Sequence, residues 1–272
     1  MTEQGLPLAG VGNARQLGGY RIGDRRIRDG VLLRTADLNH ITPEALEALR
    51  KKYRVQTVID LRMSTERGRL PDPEIPGAKN LHLPVLEAGD KLEGVDLGQA
   101  EMFLDPNQDH LKLFGRIHTD SFLNDRLYVG FLLGERGKLA YRMFFKALLQ
   151  LDEGRAILWH CANGKDRTGC AAMLTLFALG ASRETVMDDY LLTNAFNARL
   201  LEDVRQRAAP LGLPPANLDA LLFLSGAVSE AYMASAIDAL DREFGSVQGY
   251  LSEALGVGLQ ETELLRQKYL TD

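Results

Sequence analysis

Ala156-Ile-Leu-Trp159-His160-Cys161-Ala162-Asn163-Gly164-Lys165-Asp166-Arg167-Thr168-Gly169 joins a β-prone apolar run to an apolar helix that continues to Leu179 and closes at Gly180. A buried strand over 156–159 is expected to feed a tight loop, with the helix beginning near Thr168. That order aims successive backbone N–H groups and the positive end of a helix dipole at one spot, the arrangement a phosphate dianion requires. Gly164 permits a turn that a side chain would block.

Working outward, Val55-Gln-Thr-Val-Ile-Asp60-Leu-Arg62 reads as a second buried parallel strand with Asp60 and Arg62 at its C-terminal end, where α/β sheets place ligands. Thr42-Pro43-Glu44 announces a helix ending near Tyr53, from a hydroxyl N-cap, a proline at the first position and an early acid. Gly18 to Arg34 suggests a small hairpin, and Gly137 to Leu151 regains helical spacing. The remainder to Asp272 reads as helices, with Ala209-Pro-Leu-Gly-Leu-Pro-Pro215 separating two of them. These pieces predict a single α/β domain over 1–272: a central, mostly parallel sheet flanked by helices. The weakly patterned segment 86–126 and the segment 197–224 are the two candidates for a lid over the site.

Composition narrows the class. With 272 residues, 45% apolar and 25% charged, the chain suits a soluble globular fold and not a disordered or fibrous one. The stretch from Thr168 to Ser182 lacks charge but is too short and too rich in glycine and threonine for a membrane span. The opening residues lack a basic region followed by an apolar core, so the cytoplasm is the default compartment, with secretion by another route left open. Two cysteines make no disulfide framework. The five histidines are scattered, so neither a metal nor a cofactor is implied. A net charge of −5 and the absence of a basic run with interleaved aromatics argue against nucleic acid. Oligomeric state stays open.

The loop carries the chemistry. A cysteine beside a helix N-terminus and neighbouring cations sits where a thiolate forms, and a thiolate can attack phosphorus. Arg167 can clasp two phosphoryl oxygens through its planar fork and stabilise charge in the transition state. Ala162, Asn163, Gly164, Lys165 and Thr168 supply the surrounding cradle. Lys165 reads either as a solvated charge or as a contact to a second anionic group. Gly164-Lys165 is followed by Asp166 and not by Ser or Thr, which excludes a Walker loop. Sulfur transfer by a rhodanese-like cysteine loop and a non-catalytic phosphate-binding module are the competing classes; the pairing of Cys161 with Arg167 and Thr168 argues against both.

His-Cys-x5-Arg-Thr resembles the signature of the cysteine-dependent protein tyrosine phosphatase superfamily. The fuller His-Cys-x-x-Gly-Lys-Asp-Arg-Thr-Gly is similar to its atypical bacterial and fungal branch, which acts on phosphotyrosine, sometimes on phosphoserine/threonine, and on phosphoinositides. Asn13-Ala-Arg-Gln-Leu-Gly-Gly19, Leu33-Arg-Thr-Ala-Asp37, Val58-Ile-Asp-Leu-Arg62, Asp189-Tyr-Leu-Leu-Thr-Asn194 and Phe244-Gly-Ser-Val-Gln-Gly-Tyr-Leu251 extend the likeness over most of the chain. Gln16 departs from the Asp usual in the opening motif. The resemblance implies a tyrosine-phosphatase-like fold, a phosphorylated protein or phosphoinositide as substrate, a cysteinyl-phosphate intermediate on Cys161, and an alternative activity confined to phosphoinositides or inositol phosphates.

The sole tryptophan, Trp159, precedes the signature, so the general acid does not come from a Trp-Pro-Asp loop. The resemblance points to Asp166, with Asp60, Asp72 and Asp105 as the other candidates. Asp60 and Arg62 read equally as substrate contacts or as an ion pair closing the strand. His160 is expected to orient the cysteine loop, and Cys170 to pack, with a redox pairing to Cys161 the lesser reading.

Overall fold

Along the strand Ala156–His160, Ile157 and Trp159 face one core cluster while Ala156 and Leu158 face another, so the strand is buried on both sides, as in a parallel sheet covered by helices. The computed structural model describes residues 4–91 and 126–272. The chain opens with β1 (Arg15–Gln16), a hairpin of β2 (Arg21–Ile22) and β3 (Arg25–Ile27), and β4 (Leu32–Thr35). Helix α1 (Pro43–Lys51) leads to β5 (Val55–Asp60), α2 (Ser64–Arg69) and β6 (Lys79–His82). There follow α3 (Arg126–Leu133), α4 (Glu135–Gln150), β7 (Ala156–His160) and α5 (Asp166–Leu179). The remainder is helical: α6 (Arg183–Phe196), α7 (Ala198–Ala208), α8 (Pro215–Ser225), α9 (Glu230–Phe244), α10 (Val247–Glu253) and α11 (Leu259–Tyr269), ending in β8 (Leu270–Thr271).

The main sheet has the order β1-β4-β7-β5-β6, parallel except where β1 meets β4. Its register sets Thr35 beside His160, His160 beside Asp60 and Asp60 beside His82. The C-terminal ends of four parallel strands therefore lie in one row, and the loop 161–165 rises from that row. Helix α5 is buried along its whole length and, after its polar first turn, is apolar on nearly every side, so it runs through the core between sheet and outer helices. Gly180 ends it with a left-handed φ of +97°.

The structure corrects several sequence readings. The segment 18–34 is not one hairpin: β2 and β3 turn through Gly23-Asp24, whereas Leu32 to Thr35 leaves them to pair in parallel with β7, where Leu32 and Leu33 are fully buried. Helix α5 starts at Asp166, two residues before Thr168, so Asp166 and Arg167 belong to its first turn. Strand β5 stops at Asp60, because Asp60 Oδ1 accepts the backbone N–H of Arg62 and turns the chain. Helix α1 ends at Lys51, short of Tyr53, and is capped as expected by the Thr42 hydroxyl. The helix expected from Gly137 begins at Glu135, behind a separate α3. Of the lid candidates, 86–126 lies mostly outside the described residues, and 197–224 forms α7 and most of α8. Among the described residues no single helix is long and apolar enough to cross a membrane.

Candidate active site

Cys161 sits at the base of the loop, 1% exposed, directly after β7. Gly164 has a φ of +62°, and a Cβ there would come within 2.4 Å of the Thr35 carbonyl oxygen, so the close passage of the loop over β4 admits only glycine. The Trp159 indole N–H donates to the Thr168 carbonyl at 3.2 Å and the Tyr141 hydroxyl to the Arg167 carbonyl at 3.1 Å, which ties the first turn of α5 to its surroundings.

Arg167 is sealed in the core and clasped end-on by Glu66 of α2, with Nη1 and Nη2 donating to the two carboxylate oxygens at 2.5 and 2.9 Å. Burial works against its charge; Glu66 foremost, then Cys161 and Asp166, more than compensate, and its proton is held more tightly than usual. Its Nε, and the Thr168 hydroxyl, have no hydrogen-bond partner among the described residues. Glu66 also accepts the backbone N–H of Met63 at 2.7 Å, so the carboxylate is fixed before it meets the arginine. Sequence reading missed Glu66. The signal was an acid in the first turn of the helix that follows the Asp60-Leu-Arg62 strand end.

Asp166 is buried, and its Oδ1 receives two donors: the Tyr128 hydroxyl at 2.5 Å and Lys165 Nζ at 2.8 Å. Tyr190 in turn donates to the Tyr128 oxygen at 2.9 Å. Burial first, and the Asp166 charge second, push the Tyr128 phenol well above the ordinary tyrosine range, so it keeps the proton it donates. Lys165 is not solvated: it is 3% exposed, and its ammonium lies 3.9 Å from the centroid of the Phe223 ring on α8. Tyr128 and Phe223 carried no local motif, and Tyr190 was marked only by the likeness of the stretch Asp189-Tyr-Leu-Leu-Thr-Asn194.

Asp60 and Arg62 form the ion pair that closes β5. Arg62 donates through Nε and Nη2 to the two Asp60 oxygens at 2.9 and 2.8 Å, through Nη1 to the Leu70 carbonyl and through Nη2 to Asp72 at 2.5 Å. Burial disfavours the Asp60 charge, but His160 and Arg62 overcome it and hold the carboxyl at about 2. His160 Nδ1 is 3.3 Å from the Cys161 carbonyl oxygen. Its Nε2 is 3.3 Å from Asp72 without making a hydrogen bond to it. Asp60, Asp72 and His160 stand close enough to share a cation, yet Arg62 already bonds both carboxylates and brings its own positive charge. The remaining acid candidate, Asp105, lies outside the described residues. Cys170 is packed in the core, where burial pushes its thiol up. Gln16 serves a turn, accepting the Gly30 N–H and donating to Asp29, away from the loop.

A parallel sheet that delivers a cysteine, a glycine-turned loop and a clasped arginine to one helix N-terminus defines a phosphatase of the tyrosine-phosphatase type. The sequence profile of the tyrosine phosphatase family matches residues 6–271, and the chain belongs to that family. It is 31% identical over 265 residues to a protein of Cupriavidus necator provisionally named a tyrosine-protein phosphatase, covering 96% of this chain and 86% of the relative. It is 27% identical over 263 residues to the triple specificity protein phosphatase PtpB of Mycobacterium tuberculosis, covering 84% and 87%. A tyrosine-protein phosphatase of Nostoc commune is 25% identical over 240 residues, covering 86% and 72%. The chain is accordingly a hydrolase of phosphomonoesters.

Proposed function

We propose that hydrolysis runs through a cysteinyl-phosphate. The Cys161 thiolate attacks phosphorus, the P–O bond to the leaving group breaks, and Asp166 gives that oxygen its proton. In the second step Asp166 takes a proton from water, which attacks the phosphorus and returns the Cys161 thiolate with inorganic phosphate. The amides of Ala162, Asn163, Gly164, Lys165 and Thr168 cradle the phosphoryl oxygens. The clasp of Arg167 carries the reading: Glu66 occupies the end of the guanidinium, which leaves the Nε side edge for two phosphoryl oxygens. Asp60 and Arg62 act through each other and His160 at the loop's base, not on the substrate.

Phosphotyrosine on a protein is the proposed main substrate, with phosphoserine and phosphothreonine as secondary ones, as the signature's likeness to the atypical branch implies. Lys165 is already bonded to Asp166 and capped by Phe223, which weighs against an inositol ring bringing a second phosphate to it. Phe223, which reaches the loop from α8, supports the segment 197–224 as the lid. Cys161→Ser tests the mechanism. Turnover of p-nitrophenyl phosphate should disappear while orthophosphate binding persists; turnover near wild type would overturn the covalent route. A panel of phosphopeptides and phosphoinositides compared by kcat/KM tests the substrate.

A further inference from the structure

Two stretches that the mechanism leaves without a role, Asn13-Ala-Arg15 and Leu33-Arg-Thr-Ala-Asp37, meet behind the loop. Arg15 of β1 and Arg34 of β4 are direct partners across the antiparallel pair, and both are fully buried. They share one carboxylate, Asp189 of α6: Arg15 Nε lies 3.3 Å from Oδ1 and Arg34 Nη1 2.5 Å from Oδ2. Arg15 also donates to the Asp189 carbonyl, to Thr193 and to the Asn13 side-chain oxygen. The Tyr20 hydroxyl is the other group on Asp189, and burial first, then Asp189 itself, push it far up, so it stays neutral. Two guanidinium groups thus face one carboxylate, and one positive charge in this cluster is left uncompensated among the described residues.

The cluster reaches the loop through its carbonyls. Arg34 Nη2 donates to the Gly164 oxygen at 3.0 Å, and Asn13 Nδ2 donates to the same oxygen at 2.8 Å and more distantly to Asn163 O at 3.5 Å. The backbone N–H of Asp37 takes the Ala162 oxygen at 3.0 Å. In a trans peptide the C=O and the following N–H point to opposite sides. Carbonyls 162, 163 and 164 drawn outward therefore turn the N–H groups of Asn163, Gly164 and Lys165 toward the concave side between Cys161 and Arg167. Asn13 holds its amide there from a left-handed backbone with φ of +50°, a conformation asparagine tolerates better than most residues.

We propose that Asn13 and Arg34 are positioning residues for the phosphoryl group: they grip the Gly164 carbonyl from behind and preset the loop amides inward, and the net positive charge of the Arg15–Arg34–Asp189 cluster draws in the dianion. The proposal rests on the reading of the loop as a phosphate cradle. Sequence alone marked both stretches only by likeness, because neither contains a group that touches substrate.

Titration calorimetry with orthophosphate, in a Cys161→Ser parent, tests it. Asn13→Gly keeps the left-handed backbone and removes only the amide; phosphate affinity should fall about 3- to 10-fold, the value of one net hydrogen bond. Arg34→Met leaves Arg15 and Asp189 as a neutral pair and should weaken binding at least about 10-fold, since it removes both a donor and the spare charge. Arg34→Lys should recover part of that loss, which a purely structural role would not give. If Arg34→Met does not fold, as judged by circular dichroism, Asn13→Gly carries the test. A parent that does not bind orthophosphate refutes the cradle and the proposal with it. A parent that binds, with folded variants binding within two-fold of it, refutes the proposal and leaves the cradle standing.

Discussion

Asp166→Asn separates proton transfer from geometry. Tyr128 and Lys165 both donate to Oδ1, at 2.5 and 2.8 Å, and the asparagine carbonyl accepts the same two bonds. The side chain should keep its place and the fold its stability, while the other oxygen, the one left to carry a transferable proton, becomes an NH2. Lost general acid catalysis costs about 10²–10⁴-fold in rate, or about 2.7–5.4 kcal/mol of barrier. That full loss should appear with an alkyl phosphate, whose alkoxide leaves poorly without a proton. With p-nitrophenyl phosphate the phenolate leaves unaided, so the stopped-flow burst of phenol should change by much less, even though the later hydrolysis of the cysteinyl-phosphate slows. A leaving-group series in the variant should therefore show a steeper dependence on leaving-group basicity than in wild type. An equal fall across the series refutes the assignment. So does leaving-group dependence that moves to Asp60→Asn, Asp72→Asn or Asp105→Asn while Asp166→Asn stays flat.

Arg167→Lys replaces a fork by a point charge that cannot meet both Glu66 oxygens and the phosphoryl group at once; kcat for p-nitrophenyl phosphate should fall at least about 100-fold, and a loss within a few-fold would show that the arginine is not the clamp. Asp60 is held at about 2, below the ordinary carboxylate value of 3.8, so its ion pair contributes stability that is complete above the unfolded value and is lost as pH falls toward 2. Urea unfolding from pH 6 down to pH 2 should show about 2 kcal/mol of acid-dependent stability that Asp60→Asn removes, and an unchanged acid limb in the variant would contradict the pairing. Phe223→Ala uncovers Lys165 and should raise kcat/KM for a phosphopeptide several-fold more than for p-nitrophenyl phosphate; equal effects on both would mean that the ring does not gate bulky substrates.

What the sequence disclosed was local. Strand β7, the loop and helix α5 follow one another within 24 residues, and cysteine, glycine and arginine stand where their chemistry needs them. The start of α5 was misread because Lys165, its N-cap, makes no side-chain cap, so no Ser, Thr, Asp or Asn marked the boundary. The hairpin over 18–34 was misread because the partner of Leu32 is Ile157, and period and turn signals say nothing about a strand so distant. Glu66 reaches Arg167 across 101 positions and Tyr128 reaches Asp166 across 38, contacts that only the tertiary fold creates. Neither reading of Lys165, as a solvated charge or as a contact to a second anionic group, foresaw its cover for the same reason: Phe223 comes from α8.

Strand β3 has to wait for β8. Arg25 donates to the Leu270 carbonyl across 245 positions, and Ile27 pairs with Leu270, so that β2, β3 and β8 make a second, three-stranded antiparallel sheet. Closing a loop of that length costs about 5 kcal/mol of chain entropy by the (3/2)RT ln n rule, and the few bonds of a two-residue strand do not repay it alone. The closure becomes favourable once α11 docks, because Tyr269 and Lys268 then hydrogen-bond the carbonyls of Leu148, Leu149 and Leu151. During vectorial synthesis the N-terminal hairpin is therefore present long before its last strand exists. Arg15 and Arg34 likewise emerge well ahead of Asp189 and stay hydrated until it arrives. The hairpin is sealed long after it is made, and a ribosome-bound chain halted short of residue 270 would carry the cysteine loop without a finished sheet edge at the far end of α5.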